Sequence, residues 1–312
     1  MKAARHGFGF AAAAMAGLLL LRTDFSPPAY AAAPGTESLS EVYRVTRMDD
    51  VAFQKIAPFK VFDNLYYVGP GYVSVWVIPT SEGLVLIDSA QEPYVDFVID
   101  NIKKTGFDPK TVKYILLSHG HLDHFGGAAR IQELSGARVV ALDEDWKMIA
   151  DVGSRPGRNG SAPPRVPARD MVVKDGDTLS IGGQNFTFYK HPGHTPGTLS
   201  IAFTVYDGGK AYKAFSWGGV GYRGGLEAAQ QSLETADRVA KIEGVQVPIL
   251  VHSWLGRPFP GGGVFERLPK LAARKTGEPN PFVDPEAWKT WVAIQHDLAT
   301  LAVETEKAKA EK

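Results

Sequence analysis

Cysteine is absent from the 312 residues. That excludes disulfides, cysteine nucleophiles, iron–sulfur clusters and thiolate zinc sites, and it leaves imidazole and carboxylate to hold any metal. An excess of charge is also lacking. With 34 Lys+Arg against 34 Asp+Glu, the broad basic surface of a nucleic-acid binder is missing. The apolar run from Phe8 to Leu21 has 14 residues, short of the roughly 20 that span a bilayer. What is present is ordinary for a folded globular chain: 44% hydrophobic and 22% charged residues, enough for one large domain or two modest ones.

Lys2 and Arg5 precede that apolar run, and small residues follow at Ala29, Ala31, Ala32 and Ala33. This is the order of an export signal, cut near Ala31 or Ala33. Removing residues 1–33 takes away Lys2, Arg5, Arg22 and Asp24 and leaves a net charge of −2, so near-neutrality survives. The processed chain is expected in the periplasm or secreted, with no membrane anchor.

Strand and helix patterns alternate along the rest. Tyr66 to Val68, Val73 to Ile78 and the apolar Gly83 to Asp88 read as strands. Pro93 opens a helix with apolar positions at Tyr94, Phe97, Val98 and Ile102, stopped by Gly106. Val112 to Leu117 is a strand, Gly127 to Leu134 a helix, and Val139 to Ala141 a short strand. Residues 152–169, crowded with Gly, Pro and Arg, read as a long loop. Strands return at Gln184 to Tyr189, Leu199 to Val205 and Lys213 to Trp217. A helix over Leu226 to Ile242 and a strand over Val247 to Val251 follow. Asp284 caps a last helix with Pro285 in its first turn, and its charged end beyond Glu304 is expected to fray. No composition break divides the chain.

Three of the seven histidines left after residue 33 lie within six residues: His119, His121 and His124, with Asp123 among them. They follow directly on the strand ending at Leu117, so they project from the carboxyl edge of a sheet, where sites on α/β sheets form. A lone histidine is usually structural. Three with an aspartate in so short a loop point to metal instead. His194 stands in a turn-rich stretch after the strand ending at Tyr189, and His252 follows the apolar strand 247–251. His191 reads as a supporting or surface residue, and His296 as an ordinary helix-face residue.

Ser118 to His124 and Gly193 to Gly197 match the His-x-His-x-Asp-His and Gly-His-Thr-Pro-Gly motifs of the metallo-β-lactamase superfamily, which the chain resembles over roughly residues 60–300. The resemblance implies an α/β fold, a four-layer αββα sandwich of two mixed sheets with helices outside. It divides the chain into a signal peptide (1–33), an N-terminal extension (34–59), a hydrolase domain (60–303) and a charged tail (304–312). Glyoxalase II and the flavodiiron proteins carry a bridging carboxylate where this chain has Ala214 to Gly219, with no acid. The first subclass of metallo-β-lactamases uses a cysteine, and the second replaces the first histidine of the signature. The third subclass, whose second metal takes Asp, His and His, is the one this chain is similar to, including the stretch Asn280 to Trp288.

Carried over, the resemblance implies two zinc ions, one on His119, His121 and His194 and the other on Asp123, His124 and His252. A water between them would ionise near neutral pH, with Asp123 orienting it as the catalytic carboxylate. Asp88, Ser118 and Thr195 would support the ligands. The implied function is opening of a cyclic amide or ester in a small-molecule substrate, with a lactone hydrolase or a non-catalytic zinc-binding protein as alternatives. The substrate pocket is expected to draw on Trp217, Tyr222, Ser253 and Trp254, and on Arg155, Arg158 and Arg165 from a flap over the site. The third subclass places serines after the strand at 213–217 to hold a β-lactam carboxylate. Here Trp217 to Val220 and Gly221 offer no hydroxyl, so β-lactams are expected to be weak substrates of a broad aromatic pocket.

Overall fold

A computed structural model describes residues 37–157 and 160–311; the expected signal peptide and Arg158 lie outside them. Seven strands form one sheet in chain order: β1 (Phe59–Phe62), β2 (Leu65–Tyr67), β3 (Trp76–Thr80), β4 (Gly83–Ile87), β5 (Val112–Leu116), β6 (Arg138–Leu142) and β7 (Met171–Val173). Strands β1 to β4 pair antiparallel, and β4 to β7 parallel. The parallel part needs crossovers, supplied by helices α1 (Val95–Lys104), α2 (Leu122–Phe125), α3 (Ala128–Ser135) and α4 (Asp143–Ser154).

The second sheet runs β12-β11-β10-β9-β8, built from β8 (Thr178–Ile181), β9 (Gln184–Lys190), β10 (Leu199–Asp207), β11 (Lys210–Ser216) and β12 (Val247–Ile249). Gly208 and Gly209, at φ 58° and 82°, turn β10 into β11 by the positive-φ two-residue route that matches strand twist. Helices α5 (Gly225–Ala240), α6 (Val264–Ala273) and α7 (Pro285–Ala310) complete the chain.

Period-two alternation explains the layers. Inward residues of both sheets, including Trp76, Val85, Ile87, Phe186, Phe188, Ile201 and Phe203, make the central core. Leu84, Leu86 and Ile115 face the other way, against Val98 and Ile102 of α1 and Ile131 of α3. Phe215 and Trp217 meet Ala236 of α5 and Trp288 and Trp291 of α7. The result is the expected αββα sandwich, with apolar faces buried between all four layers.

Several expected boundaries shift. Residues 152–154 belong to α4, so the Gly/Pro/Arg loop starts later than its composition suggested. The charged end of α7 does not fray at Glu304 but stays helical through Ala310. Strands β1, β7 and β8 and helices α2, α4 and α6 escaped the pattern reading; the strands and α2 are short, and α6 carries Pro269 inside it. The segment before Phe59 is folded onto the domain: Val42 and Tyr43 are buried, and Ser40 donates from both N and Oγ to Glu266.

Candidate metal centre

Three chain segments end at one edge of the sandwich and place six side chains together. His119, His121 and His194 offer ligand atoms all within 4.8 Å of one another, and so do Asp123, His124 and His252. The two groups adjoin, since the rings of His119 and His124 have centroids 3.9 Å apart. Each histidine reaches this edge because its strand runs out just before it: β5 before His119, β9 before His194, β12 before His252.

The outer nitrogens of three of these rings are already committed. His119 Nδ1 bonds to the carbonyl of Gly218 at 2.8 Å, His252 Nδ1 to the carbonyl of Tyr72 at 2.8 Å, and His124 Nδ1 to Asp88 Oδ2 at 2.7 Å. A ring that donates from Nδ1 keeps a lone pair on Nε2, and here that lone pair points inward. His119 Nε2 is buried with no hydrogen-bond partner. The Nε2 atoms of His124 and His252 face each other at 3.1 Å, and each lies 3.6 Å from Asp123 Oδ2. Orphaned inward lone pairs in imidazole-rich groups fit a divalent cation such as zinc.

Electrostatics agree with that donor state. Burial holds His119 and His252 well below the ordinary histidine range, and it lowers His194 to about 3 and His121 to about 4, reinforced by neighbouring histidines. These rings stay neutral, as ligands must. His124 differs: burial pushes it down, but the carboxylates of Asp123 and Asp88 outweigh burial and hold it up. Burial would raise Asp123, yet His124, His252 and Arg44 hold its carboxyl below the usual range.

The sequence profile of the metallo-beta-lactamase superfamily matches residues 68–207. Among solved structures the chain is similar to BJP-1, a subclass B3 metallo-beta-lactamase of Bradyrhizobium japonicum. The identity is 31% and the TM-score 0.68, over 81% of this chain and 96% of that one. The chain belongs to the metallo-β-lactamase superfamily. The metallo-beta-lactamase FEZ-1 from Legionella gormanii is similar too, at 26% identity and TM-score 0.71, over 80% of this chain and 97% of that one. A hydroxyacylglutathione hydrolase of Pseudomonas paraeruginosa is 36% identical over 86 residues, 28% of this chain and 26% of that protein. The chain thus matches about a quarter of the length of such curated relatives.

Within this superfamily site, Asp88 lies beneath the His119–His124 loop. Its Oδ1 accepts from Ser118 N and its Oδ2 from Ser118 Oγ, both at 2.8 Å. It adopts φ 62°, a left-handed conformation uncommon outside glycine, which aims the carboxylate upward from the end of β4. Thr195 donates to Asp145 at 2.7 Å, and Asp145 also accepts from Gly120 N at 2.6 Å and Gly197 N at 2.8 Å. This wholly buried acid ties the two histidine loops to the start of α4. Sequence reading missed it together with the whole of α4, for which no helix was expected.

His191 takes the supporting role and not the surface one: it is buried, its Nδ1 lies 2.8 Å from Ser200 Oγ, and that oxygen accepts from Gly218 N at 3.1 Å. Burial lowers its pKa to about 3, against 6.5 unfolded. A depressed histidine contributes stability that is present above pH 6.5 and is lost as pH falls from there toward 3. Linkage puts the loss near 2 kcal/mol at pH 5. Urea unfolding of zinc-loaded protein at pH 7 and pH 5 should show the drop smaller by about that amount in His191→Gln. Equal drops in both proteins would remove His191 as the cause.

Several of the expected pocket residues are engaged in other contacts. Trp217 shares the helix-facing side of β11 with Phe215 and packs on Trp288, with ring centroids 6.3 Å apart. Tyr222 bonds to Glu306 at 2.8 Å, a partner that exists because α7 stays helical there. Ser253 is buried against the Gly71 carbonyl, and Trp254 is also buried. Arg155 pairs with Asp151 and Arg165 with Glu133. Val166 lies against Gly153, and Ala168 N bonds to Gln132 at 3.0 Å. The last part of the expected flap, residues 165–168, is therefore held on α3 and α4. Trp217, expected with Trp254 to make the pocket broad and aromatic, is taken up by its packing on α7. The arginines whose charge reaches the ligand histidines are Arg44 and Arg223, neither of which carried a sequence signal.

Proposed function

We propose that the protein is an exported hydrolase holding two zinc ions and opening a cyclic amide or ester. His119, His121 and His194 would hold one ion, and Asp123, His124 and His252 the other. The observation that carries this reading is the set of inward lone pairs, above all the orphaned His119 Nε2, in two adjoining groups of three ligands. Zinc there supplies a Lewis acid for the scissile carbonyl and lowers the pKa of water to near 7.

The chain's own residues do the rest. Asp123, kept ionised by its surroundings, accepts a hydrogen bond from the attacking water and fixes its direction. Asp88, Tyr72 O and Gly218 O hold the ligand rings in the tautomer that leaves Nε2 free. Strand β11 brings no carboxylate to the site, which favours a lactamase-like reading over that of the hydroxyacylglutathione hydrolases. Export rests on Lys2, Arg5, the apolar run and the alanines before Pro34.

Metal analysis of zinc-replete protein is expected to give two zinc ions per chain. A chelator should abolish turnover across a panel of penicillins, carbapenems and acyl lactones, and zinc should restore it. A reproducible content of one ion or none would count against the six-residue assignment.

A further inference from the structure

The N-terminal segment delivers a cation to the mouth of the centre. The helical turns Leu39–Glu41 and Val42–Thr46 lie on the domain, and Tyr43 is clamped between the rings of Phe53 and Phe265, each centroid 4.6 Å away. Gln54 Nε2 ties down the carbonyls of Tyr43 and Arg47 at 2.7 and 2.8 Å. On this rigid mount Arg44 reaches out with 28% of its side chain exposed. Its Nη1 lies 3.6 Å from Asp123 Oδ2, and its guanidinium carbon sits 6.0 Å from the Tyr72 ring centroid. Among the described residues, Asp123 is the one acid within ion-pair distance of it.

We propose that Arg44 binds a carboxylate of the substrate, so that the substrate class is a cyclic amide or ester with a carboxylate beside the reacting bond. This deepens the hydrolase reading above and rests on it. Once Asp123 serves a metal ion, the guanidinium keeps its charge beside neutral neighbours, the Met48 sulfur at 4.0 Å from Nη1 and the Tyr72 ring. A fixed, half-exposed fork of N–H donors beside the reaction centre is the geometry that takes a planar carboxylate. Of the other side chains expected to bind such a group, Ser253, Tyr222, Arg155 and Arg165 are engaged elsewhere, and Arg158 lies outside the described residues. Arg223 is exposed and anchored near the site by its backbone N on Gly193 O at 3.2 Å, and among the described residues no side chain pairs with its guanidinium.

The test needs no turnover. Zinc-loaded wild type, Arg44→Ala and Arg44→Lys are titrated calorimetrically with benzylpenicilloate and with the same compound methylated at its thiazolidine carboxylate. Wild type should prefer the free acid. That preference should shrink by about 10- to 150-fold in Arg44→Ala, the range for one hydrogen-bonded contact to a charged group, with Arg44→Lys between. The ratio of KM for benzylpenicillin to that for its methyl ester should move the same way. Zinc content is measured on each variant, and Arg44→Lys carries the comparison should Arg44→Ala not fold. Equal losses on acid and ester would place Arg44 on the metal ligands alone and overturn the proposal. So would a preference that is unchanged, or absent in wild type. An Arg44-dependent preference in a protein that turns over no member of the panel would uphold this assignment and sink the hydrolase reading.

Discussion

Replacing His121 by alanine is expected to lower kcat/KM by roughly 10³-fold or more and to reduce bound zinc from two ions to one. A metal acting as Lewis acid contributes several kcal/mol of transition-state stabilisation, and about 4 kcal/mol corresponds to that factor. The fold should tolerate the change. His121 stands before α2 without a side-chain capping bond and is only partly buried, and the bonds it gives α2 come from its backbone carbonyl, which alanine keeps. Loss of function with little loss of stability is therefore the signature to look for. Melting temperature and metal content measured beside the kinetics would check it. An active variant with two bound ions would show that His121 is not a ligand.

The ligand loops were legible in the sequence for a physical reason. Metal ligation demands fixed residue types at short spacing on loops that follow strands, and His119, His121, Asp123 and His124 satisfy that within one turn of chain. Asp88 was legible only through the resemblance, since the stretch from Gly83 to Ala90 looks like the superfamily strand whose aspartate supports the metal loop. The central apolar strands β4 and β5 and the capped helix α7 were equally clear. The surroundings were not. Whether Trp217 faces the site or the helices depends on which side of β11 it occupies, and Phe215 and Trp288 decide that only after the sheets pack. The direction of Tyr222 depends on the last turns of α7, whose charged composition suggested fraying. Arg44 is distant in sequence from every ligand, and its segment carries no periodic signal. Only the clamp on Tyr43 brings it to Asp123. Composition likewise put the arginine-rich loop over the site, whereas Arg155 and Arg165 are taken up by Asp151 and Glu133.

Asp88 should show the opposite balance from His121. Its carboxylate is buried and accepts three hydrogen bonds, two from Ser118 and one from His124. Replacing it with alanine strands Ser118 N and His124 Nδ1 away from water, and removing one partner of a buried charged network costs about 3–5 kcal/mol. Alanine also inherits the φ of 62°, where the aspartate side chain can support itself by hydrogen bonds and a methyl group cannot. His124 loses the group that fixes its tautomer, so zinc affinity at the Asp123–His124–His252 group should fall by about 10- to 100-fold, the usual cost of removing such a partner. Asp88→Asn keeps the shape and tolerates the left-handed backbone, so it should unfold between wild type and alanine while still weakening zinc. Urea unfolding of metal-free protein separates the stability effect, and competition with a chromogenic chelator reads the affinity. An Asp88→Ala protein that unfolds with wild type and holds zinc as tightly would show that the loop carrying His119 to His124 is fixed by its own backbone and not by the acid beneath it.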